Sequence, residues 1–294
     1  MNVNKRNNYQ LTGSIHTLSL ISLPVTDIDE SIAPCFDTLS SRENLSYSKI
    51  NANKLVGDLF SYDEFKTAFD TILGGAGIES YSLSRFDMRF DSFDPEHYRD
   101  YAKLNRYLIS ALAVTYNVQN CYDSRNLFSQ KQVSVAIKNK RFECENYDKA
   151  AESGGRDPAY ARLELRSKCL TSNDIEKQFH GWYTLKNLDK VHQRYNDELE
   201  KIYKEEKDAF PVKFRSLTDF LIQYQNCIFC KAQMVDLLSR FDEVKNPETR
   251  AKNHKKRYGI EYFSKKDVEY AVAEIKRASE KFFKGTEMNL FEKS

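Results

Sequence analysis

Three short segments alternate charged or phenolic residues with apolar ones, and their polar members are the types that work on phosphates. Arg85, Asp87, Arg89 and Asp91 are interleaved with Phe86, Met88 and Phe90. Arg141, Glu143, Glu145 and Tyr147 are interleaved with Phe142, Cys144 and Asn146, and Arg162, Glu164 and Arg166 with Leu163 and Leu165. Side chains two apart on a strand share a face. If the three strands belong to one sheet whose apolar face is covered, the other face gathers five carboxylates, several guanidinium groups and one phenol. Carboxylates crowded together repel one another unless a hard divalent cation, Mg²⁺ or Mn²⁺, sits among them, and such ions keep waters that a substrate phosphate can replace. A tyrosine beside that ion can attack a phosphodiester while arginine or lysine stabilises the transition state, leaving a 5′-phosphotyrosyl link. The same alternation describes a solvent-facing antiparallel sheet, in which Glu, Arg and Tyr pair across strands for a few tenths of a kcal/mol each. Alternation alone leaves both readings open.

The elements that must position these residues follow from periodicity. Strands are predicted at Ser14–Ser22, Asn44–Ile50, Glu79–Asp91, Gln132–Lys138, Arg141–Lys149 and Tyr160–Ser167, each rich in β-branched or aromatic residues. Helices are predicted at Tyr62–Leu73 and Pro95–Tyr116, the second entered through Asp94-Pro95. Gly74-Gly75-Ala76-Gly77 reads as a helix stop, since no strand precedes it and no Lys-Ser/Thr follows it. Asn139-Lys140 suits a tight hairpin turn, and Ser153–Pro158 a turn-rich loop. Beyond Cys169 the chain reads as helical: a seam at Leu185, Leu188, His192, Tyr195, Leu199 and Ile202, then Ser216–Phe229, Lys231–Phe241, Pro247–Tyr258 and Lys265–Lys284. The seam must pack on another helix, within the chain or on a second copy in a homodimer. The fold class expected is α+β: a mainly antiparallel sheet domain over residues 1–170 with helices on one face, followed by a helical domain over residues 171–294.

Bulk composition narrows the classes. With 294 residues, 40% hydrophobic and 30% charged, ten glycines and six prolines, the chain is neither disordered nor collagenous. No apolar run approaches the roughly 20 residues that span a bilayer, and the segment from Met1 to Gln10 is polar, so an intracellular protein with no membrane partner is expected. Six cysteines in 294 residues are too sparse for a disulfide framework. Cys227-x-x-Cys230 lies in an apolar stretch without a second ligand pair, and buried thiols account for it more simply than zinc. The five histidines are dispersed, and His16, mid-strand, is placed either near the site in space or, more simply, as a satisfied structural histidine. Net charge is only +2, yet Lys245, Arg250, Lys252, Lys255, Lys256 and Arg257 face a single Glu248 within one short stretch. That stretch is either a solvated helix face or a strip that displaces counterions from a phosphate backbone. Some of the 18 Tyr and 19 Phe, or Trp182, would suit stacking on unpaired bases, although most must be core.

Taken in order, Arg85-Phe86-Asp87-Met88-Arg89-Phe90-Asp91, Tyr147-Asp148-Lys149 and Arg162-Leu163-Glu164-Leu165-Arg166 resemble a known set. They are similar to the rolling-circle replication initiators of small Gram-positive plasmids (the Rep_trans type), their phage counterparts and the related relaxases of integrative elements. That family carries an R-[LIF]-D-x-x-x-D strand, then Y-[ND]-K, then R-[VL]-E-x-[RE], and lacks the His-hydrophobic-His motif of other rolling-circle enzymes, as this sequence does. The resemblance covers about residues 79 to 170. It implies a metal-dependent nicking and joining enzyme that leaves a free 3′-hydroxyl for replication, with Tyr147 as nucleophile, Asp87 and Glu164 as metal-binding positions supported by Asp91, and Lys149 and Arg166 at the scissile phosphate. The implied cofactor is Mg²⁺ or Mn²⁺. The implied partners are origin DNA, single-stranded or extruded as a hairpin, and a host helicase, in the cytoplasm of a bacterial host. Lys245, Arg250, Lys252, Lys255, Lys256 and Arg257 would grip the backbone. The alternative is a non-catalytic DNA-binding replication or copy-control factor of similar fold, and a third reading is a metal-dependent nuclease that uses water.

Overall fold

The computed structural model describes residues 10–115, 135–138, 140, 142–168, 170, 188–209, 216–258 and 263–284. Among them, seven strands form one antiparallel sheet in the order β2-β3-β1-β4-β7-β6-β5. The strands are β1 (Leu11–Ser22), β2 (Phe36–Arg42), β3 (Leu45–Ile50), β4 (Tyr81–Ser92), β5 (Val135–Lys138), β6 (Phe142–Asp148) and β7 (Ala161–Lys168). The α+β class with a mainly antiparallel sheet is thereby met. β2 was not anticipated: it is a short edge strand with an almost wholly exposed sequence, FDTLSSR, so no buried alternation marks it. The segment 132–134 and the turn residues 139 and 141 lie outside the described residues. The pairing of Lys138 with Glu143 nonetheless makes β5 and β6 the hairpin partners expected.

Register decides which residues share a face. Ile15 pairs with Met88 and Leu18 with Phe86. Met88 pairs in turn with Leu165, and Phe90 with Leu163. Cys144 continues the Leu165 row and Asn146 the Leu163 row. This apolar face is buried throughout, and each large side chain on it is worth about 1.5–3 kcal/mol in removed apolar surface. Helices cover it from one side. α3 (Tyr98–Thr115) lies on β6 and β7, and its Tyr101 hydroxyl donates to the Phe90 carbonyl at 3.2 Å. Its Asn105 amide donates to Asn146 Oδ1 at 3.0 Å, joining two side-chain amides inside the core. α9 (Lys265–Lys284) presses on β1 so closely that a Cβ on Gly13 would stand 2.9 Å from the Ala278 carbonyl oxygen.

The remaining helices are α1 (Asn53–Val56), α2 (Tyr62–Gly75), α4 (Lys149–Ser153), α5 (Leu188–Ala209), α6 (Leu217–Gln223), α7 (Lys231–Ser239) and α8 (Pro247–Tyr258). α2 ends at the glycine cluster, where Gly77 adopts φ +62°, as the helix-stop reading requires. α3 starts three residues later than expected, because Asp94 Oδ1 first accepts the backbone N–H groups of Glu96 (2.8 Å) and His97 (3.2 Å). The stripe α5 buries is Val191, Tyr195, Leu199 and Tyr203, which packs on α3 and α7. Of the predicted seam, Tyr195 and Leu199 belong to it, while His192 and Ile202 flank it half-buried and Leu185 lies outside the described residues. The helix expected over Ser216–Phe229 breaks after Gln223, and the Gln233 side chain takes over the broken ladder. Its Oε1 accepts from Phe229 N at 2.7 Å and its Nε2 donates to the Cys227 carbonyl at 3.0 Å. Helices from both halves of the chain share one hydrophobic core with the sheet. The boundary expected at residue 170 adjoins the stretch 171–187, outside the described residues.

Candidate active site on the polar face of the sheet

The face opposite the helices is a grid of charged rows. Along β4 it presents Arg85, Asp87, Arg89 and Asp91, and β7 sets Lys168, Arg166, Glu164 and Arg162 directly opposite them. Three of these four facing pairs are therefore of opposite charge. β6 adds Glu143 beside Arg166, Glu145 beside Glu164 and Tyr147 beside Arg162. β1 contributes Ser14 opposite Arg89 and Thr17 opposite Asp87, with a bulge between Ile15 and Thr17 that frees His16 from the regular ladder.

Tyr147 is 9% exposed, and its hydroxyl donates to Glu164 Oε1 at 2.6 Å. Glu164 is 1% exposed. Its other oxygen accepts from Arg166 Nη2 at 2.5 Å and Nε at 3.1 Å, and His16 Nδ1 lies 3.5 Å from Oε1. Burial would raise the Glu164 carboxyl, but charge from His16 and Arg166 and the phenol hydrogen bond outweigh it and hold the pKa down at about 2. Burial also lowers the His16 pKa, against the pull of Glu164. The phenol is pushed well above its ordinary range by burial and by the adjacent Glu164 anion, against an opposing contribution from Arg162. In this state Tyr147 is protonated and oriented.

Arg166 is the hub of the grid. Besides Glu164, it reaches Glu143 Oε1 at 2.6 Å, Glu145 Oε2 at 3.1 Å and, more distantly, Asp87 Oδ2 at 3.9 Å. Lys168 Nζ takes the other Glu143 oxygen at 2.7 Å. Asp87 is clamped by Arg85, with Nε 2.6 Å from Oδ1 and Nη2 2.5 Å from Oδ2, and accepts from Thr17 Oγ1 at 2.6 Å. Arg89 donates to Ser14 Oγ at 2.6 Å and pairs with Asp58, beyond α1.

The sequence-predicted residues are thus only partly brought together. Tyr147, Glu164 and Arg166 touch. Asp87 lies beside them, reached through Arg166. Asp91 stands one row away, where Arg162 engages both its oxygens at 2.6 and 2.8 Å. That bidentate pair, both residues 2% exposed, makes Asp91 a partner of arginine rather than a member of a cation-binding trio with Asp87 and Glu164. Among the described residues no three His, Cys, Asp or Glu groups lie close enough to hold a metal ion. Lys149 Nζ stands 5.8 Å from the Tyr147 ring centroid but is paired with Glu152 at 2.5 Å. It lines an open cleft of about 520 Å³ with Asp58, Arg156 and Asp157.

Two further residues belong here. His16 was weighed as near the site but read more simply as structural, and the bulge turns its ring to Glu164. Arg162 drew no role, yet it bonds Asp91, Asp157 (3.3 Å) and the Tyr147 phenol. Alternation placed Arg162 on the right face; only strand register could show what it meets. Cys227 is buried, and Cys230 caps α7 with Sγ accepting from Gln233 N at 3.3 Å, in keeping with the thiol reading.

The cations named on this face and its rim, Arg85, Arg89, Arg156, Arg162, Arg166, Lys149 and Lys168, number seven against eight carboxylates, Asp58, Asp87, Asp91, Asp157, Glu143, Glu145, Glu152 and Glu164. Crowding is local, at Glu145, whose pKa is raised by burial and, against the pull of Arg166, by repulsion from Glu164 and Glu143.

No family model matches the chain, and no curated protein matches it in sequence. Among solved structures, one described as a rolling circle replication initiator protein from Geobacillus stearothermophilus aligns with 65% of this chain and 84% of that one, at 9% identity and a TM-score of 0.34. A likeness of that degree carries no weight for function, which rests on the residues themselves. Among the described residues no helix is long and apolar enough to cross a membrane.

Proposed function

We propose that this protein nicks and rejoins origin DNA by tyrosine transesterification, as initiators of rolling-circle replication do. The observation that carries the reading is the Tyr147 hydroxyl, held 2.6 Å from the ionised Glu164 in a face lined by guanidinium groups. In the forward step Tyr147 Oη forms a bond to phosphorus, the bond from phosphorus to the 3′ oxygen breaks, and the phenol proton passes to Glu164. The leaving oxygen takes a proton from solvent and becomes the free 3′-hydroxyl. Arg166 is the cation closest to Glu164, the nucleophile's partner, and remains partly exposed, and it stabilises the charge on the phosphoryl oxygens. A phosphate on Arg166 also competes with Glu164 for the guanidinium, making that carboxylate a stronger base when substrate is present. Because the phosphotyrosine conserves bond energy, a 3′-hydroxyl can reverse the step without ATP.

Dependence on Mg²⁺ or Mn²⁺ is part of the proposal, with a changed ligand set. The trio Asp87, Asp91 and Glu164 does not converge, whereas Glu145 and Glu164 face each other in register, both on Arg166, and burial and mutual repulsion raise the Glu145 pKa. Mg²⁺ commonly uses one or two carboxylates and completes its shell with water and substrate phosphate. When bound there it would supply the positive charge that a phosphodiester entering this face needs. The cations of α8 would grip DNA.

A second reading, a non-catalytic DNA-binding replication or copy-control factor, is favoured by one observation: Tyr147 is nine-tenths buried and locked to Glu164. One experiment separates the two. The protein is incubated with Mn²⁺ and single-stranded oligonucleotides tiled across its own genetic element, then run on a denaturing gel. The nicking reading requires a covalent protein–DNA adduct that disappears in Tyr147→Phe; an adduct that persists in that variant refutes the nucleophile, and DNA binding with no adduct supports the second reading. Cleavage without an adduct would identify a nuclease that uses water.

A further inference from the structure

The break in the chain after Gln223 brings Phe229 and Cys230 to the start of α7, where they line a pocket of about 440 Å³ bordered by α3, α5 and α9. The pocket lies on the helical side of the sheet, away from the polar face that carries Tyr147. Small-molecule sites occupy about 300–1,000 Å³, so the size is suitable. Much of the lining is apolar: Leu104, Tyr107, Phe229 and Val268 are buried, and the half-buried Phe263 adds a third aromatic ring, tied in by its N–H donating to the Phe229 carbonyl at 2.5 Å. The polar groups are few. The Tyr107 hydroxyl and His192 Nε2 are hydrogen-bonded at 2.8 Å, and Cys230 Sγ lies 3.5 Å from the same nitrogen. Among the described residues His192 Nδ1 has no hydrogen-bond partner. Two exposed side chains of opposite charge, Asp189 and Lys231, complete the rim, and neither forms an ion pair among the described residues. The Asp189 carboxylate is felt inside the pocket. Burial lowers the His192 pKa against the pull of Asp189 and Asp236, and burial raises that of Tyr107 with Cys230 and Asp189 adding to it.

We infer that this pocket binds a free aromatic α-amino acid, with its ring on the apolar lining, its ammonium group toward Asp189 and its carboxylate toward Lys231. The inference goes beyond the nicking reading and does not rest on it. Ring and head group are chosen separately. Aromatic rings gain from edge-to-face or offset contact with other rings beyond the area they bury, and three of the lining side chains, Tyr107, Phe229 and Phe263, are aromatic. His192 Nδ1 is a further partner for a polar ring atom, as donor or acceptor according to tautomer. A ligand of one charge would leave Asp189 or Lys231 without a counter-charge, whereas a zwitterion meets both through charge-assisted hydrogen bonds. A metal ion is not the occupant, because among the described residues no three His, Cys, Asp or Glu groups, Cys230 and His192 included, lie close enough to hold one.

Isothermal titration of the full chain with L-tryptophan, tryptamine, indole-3-propionate and L-leucine reads ring and head group apart. Saturable tryptophan binding with a dissociation constant below about 1 mM is expected. Tryptamine and indole-3-propionate, each lacking one charge-assisted contact, should bind more weakly on the order of 10-fold, and leucine, lacking the ring, more weakly still. Asp189→Asn should weaken tryptophan and tryptamine but not indole-3-propionate; Lys231→Gln should weaken tryptophan and indole-3-propionate but not tryptamine. Ala232→Trp, which fills the pocket from the exposed first turn of α7, should abolish binding of every indole. All three substituted side chains are exposed, so melting temperatures should match the parent. Absence of saturable tryptophan binding to the parent chain overturns the inference. So does tryptophan binding no tighter than either single-charge analogue or leucine, or binding that survives in a folded Ala232→Trp variant. These outcomes are the same whether or not Tyr147 forms an adduct with DNA, so failure here and failure of the nicking reading are told apart.

Discussion

Replacing Asp91 with alanine separates its role as an arginine partner from the role expected of a metal ligand. In the structure Asp91 and Arg162 are each 2% exposed and joined by two hydrogen bonds of 2.6 and 2.8 Å. Removing the carboxylate strands a buried guanidinium whose remaining acid, Asp157, lies 3.3 Å away at the rim, and leaves Arg89 without the Asp91 oxygen 3.5 Å from its Nε. Breaking one side of such a pair costs about 3–5 kcal/mol, whereas exchanging both members for apolar groups is often neutral. For a chain of this size that corresponds to a fall in melting temperature of about 10 °C. Urea unfolding followed by far-UV circular dichroism should show the loss in Asp91→Ala, and Asp91→Ala with Arg162→Met should recover at least half of it. The gap should be the same with Mn²⁺ or with EDTA. A loss below about 1 kcal/mol, a double variant no better than the single one, or a loss confined to Mn²⁺ would show that Asp91 serves a cation instead.

Other outcomes follow from the same geometry. Gly13→Ala forces a Cβ to within 2.9 Å of the Ala278 carbonyl and should cost about 1–3 kcal/mol, read by urea unfolding; an unchanged midpoint would mean α9 does not press on β1. Arg166→Gln should lower the rate of adduct formation on the order of 10²-fold, and a rate within twofold of the parent would remove Arg166 from the reaction. The Asp94 pKa is lowered: burial would raise it, but backbone bonds from Glu96 and His97 and the His97 ring prevail. A depressed carboxyl stabilises the fold above its unfolded pKa of about 3.9 and loses that contribution as pH falls through its folded value. The stability gap between the parent and Asp94→Asn should therefore shrink below about pH 4, and a gap equal at pH 6 and pH 2.5 would contradict the assignment.

The strands that carry the site were legible because one face of each is apolar. Phe86, Met88 and Phe90, or Leu163 and Leu165, can alternate with charges only if the charges share the opposite face, and Tyr147 was assigned to that face on parity alone. Parity says nothing about rows. That Asp91 meets Arg162 while Glu164 meets Arg89 is fixed by register, which depends on bulges and connections spread over 70 residues. The support of a metal site by Asp91 was implied by the family resemblance alone, and the structure instead gives Asp91 an arginine partner across the strands. The place of His16 stayed open between site and core for a similar reason, since its orientation depends on a bulge. β2 left no trace because an exposed edge strand needs no apolar side chains, and the break after Gln223 left none because a single glutamine side chain replaces the missing ladder.

The strands that build the polar face come from opposite ends of a long stretch of chain: Ser14 bonds Arg89 across 75 positions, and Arg162 bonds Asp91 across 71. Closing loops of that length must precede any reward from the contacts they bring. The Tyr147–Glu164 pair spans only 17 positions on adjacent strands, whereas its surroundings on β1 and β4 depend on these long closures. On the proposed reading, Tyr147 would acquire its full setting of guanidinium groups only once β1, β4, β7 and β6 have all docked.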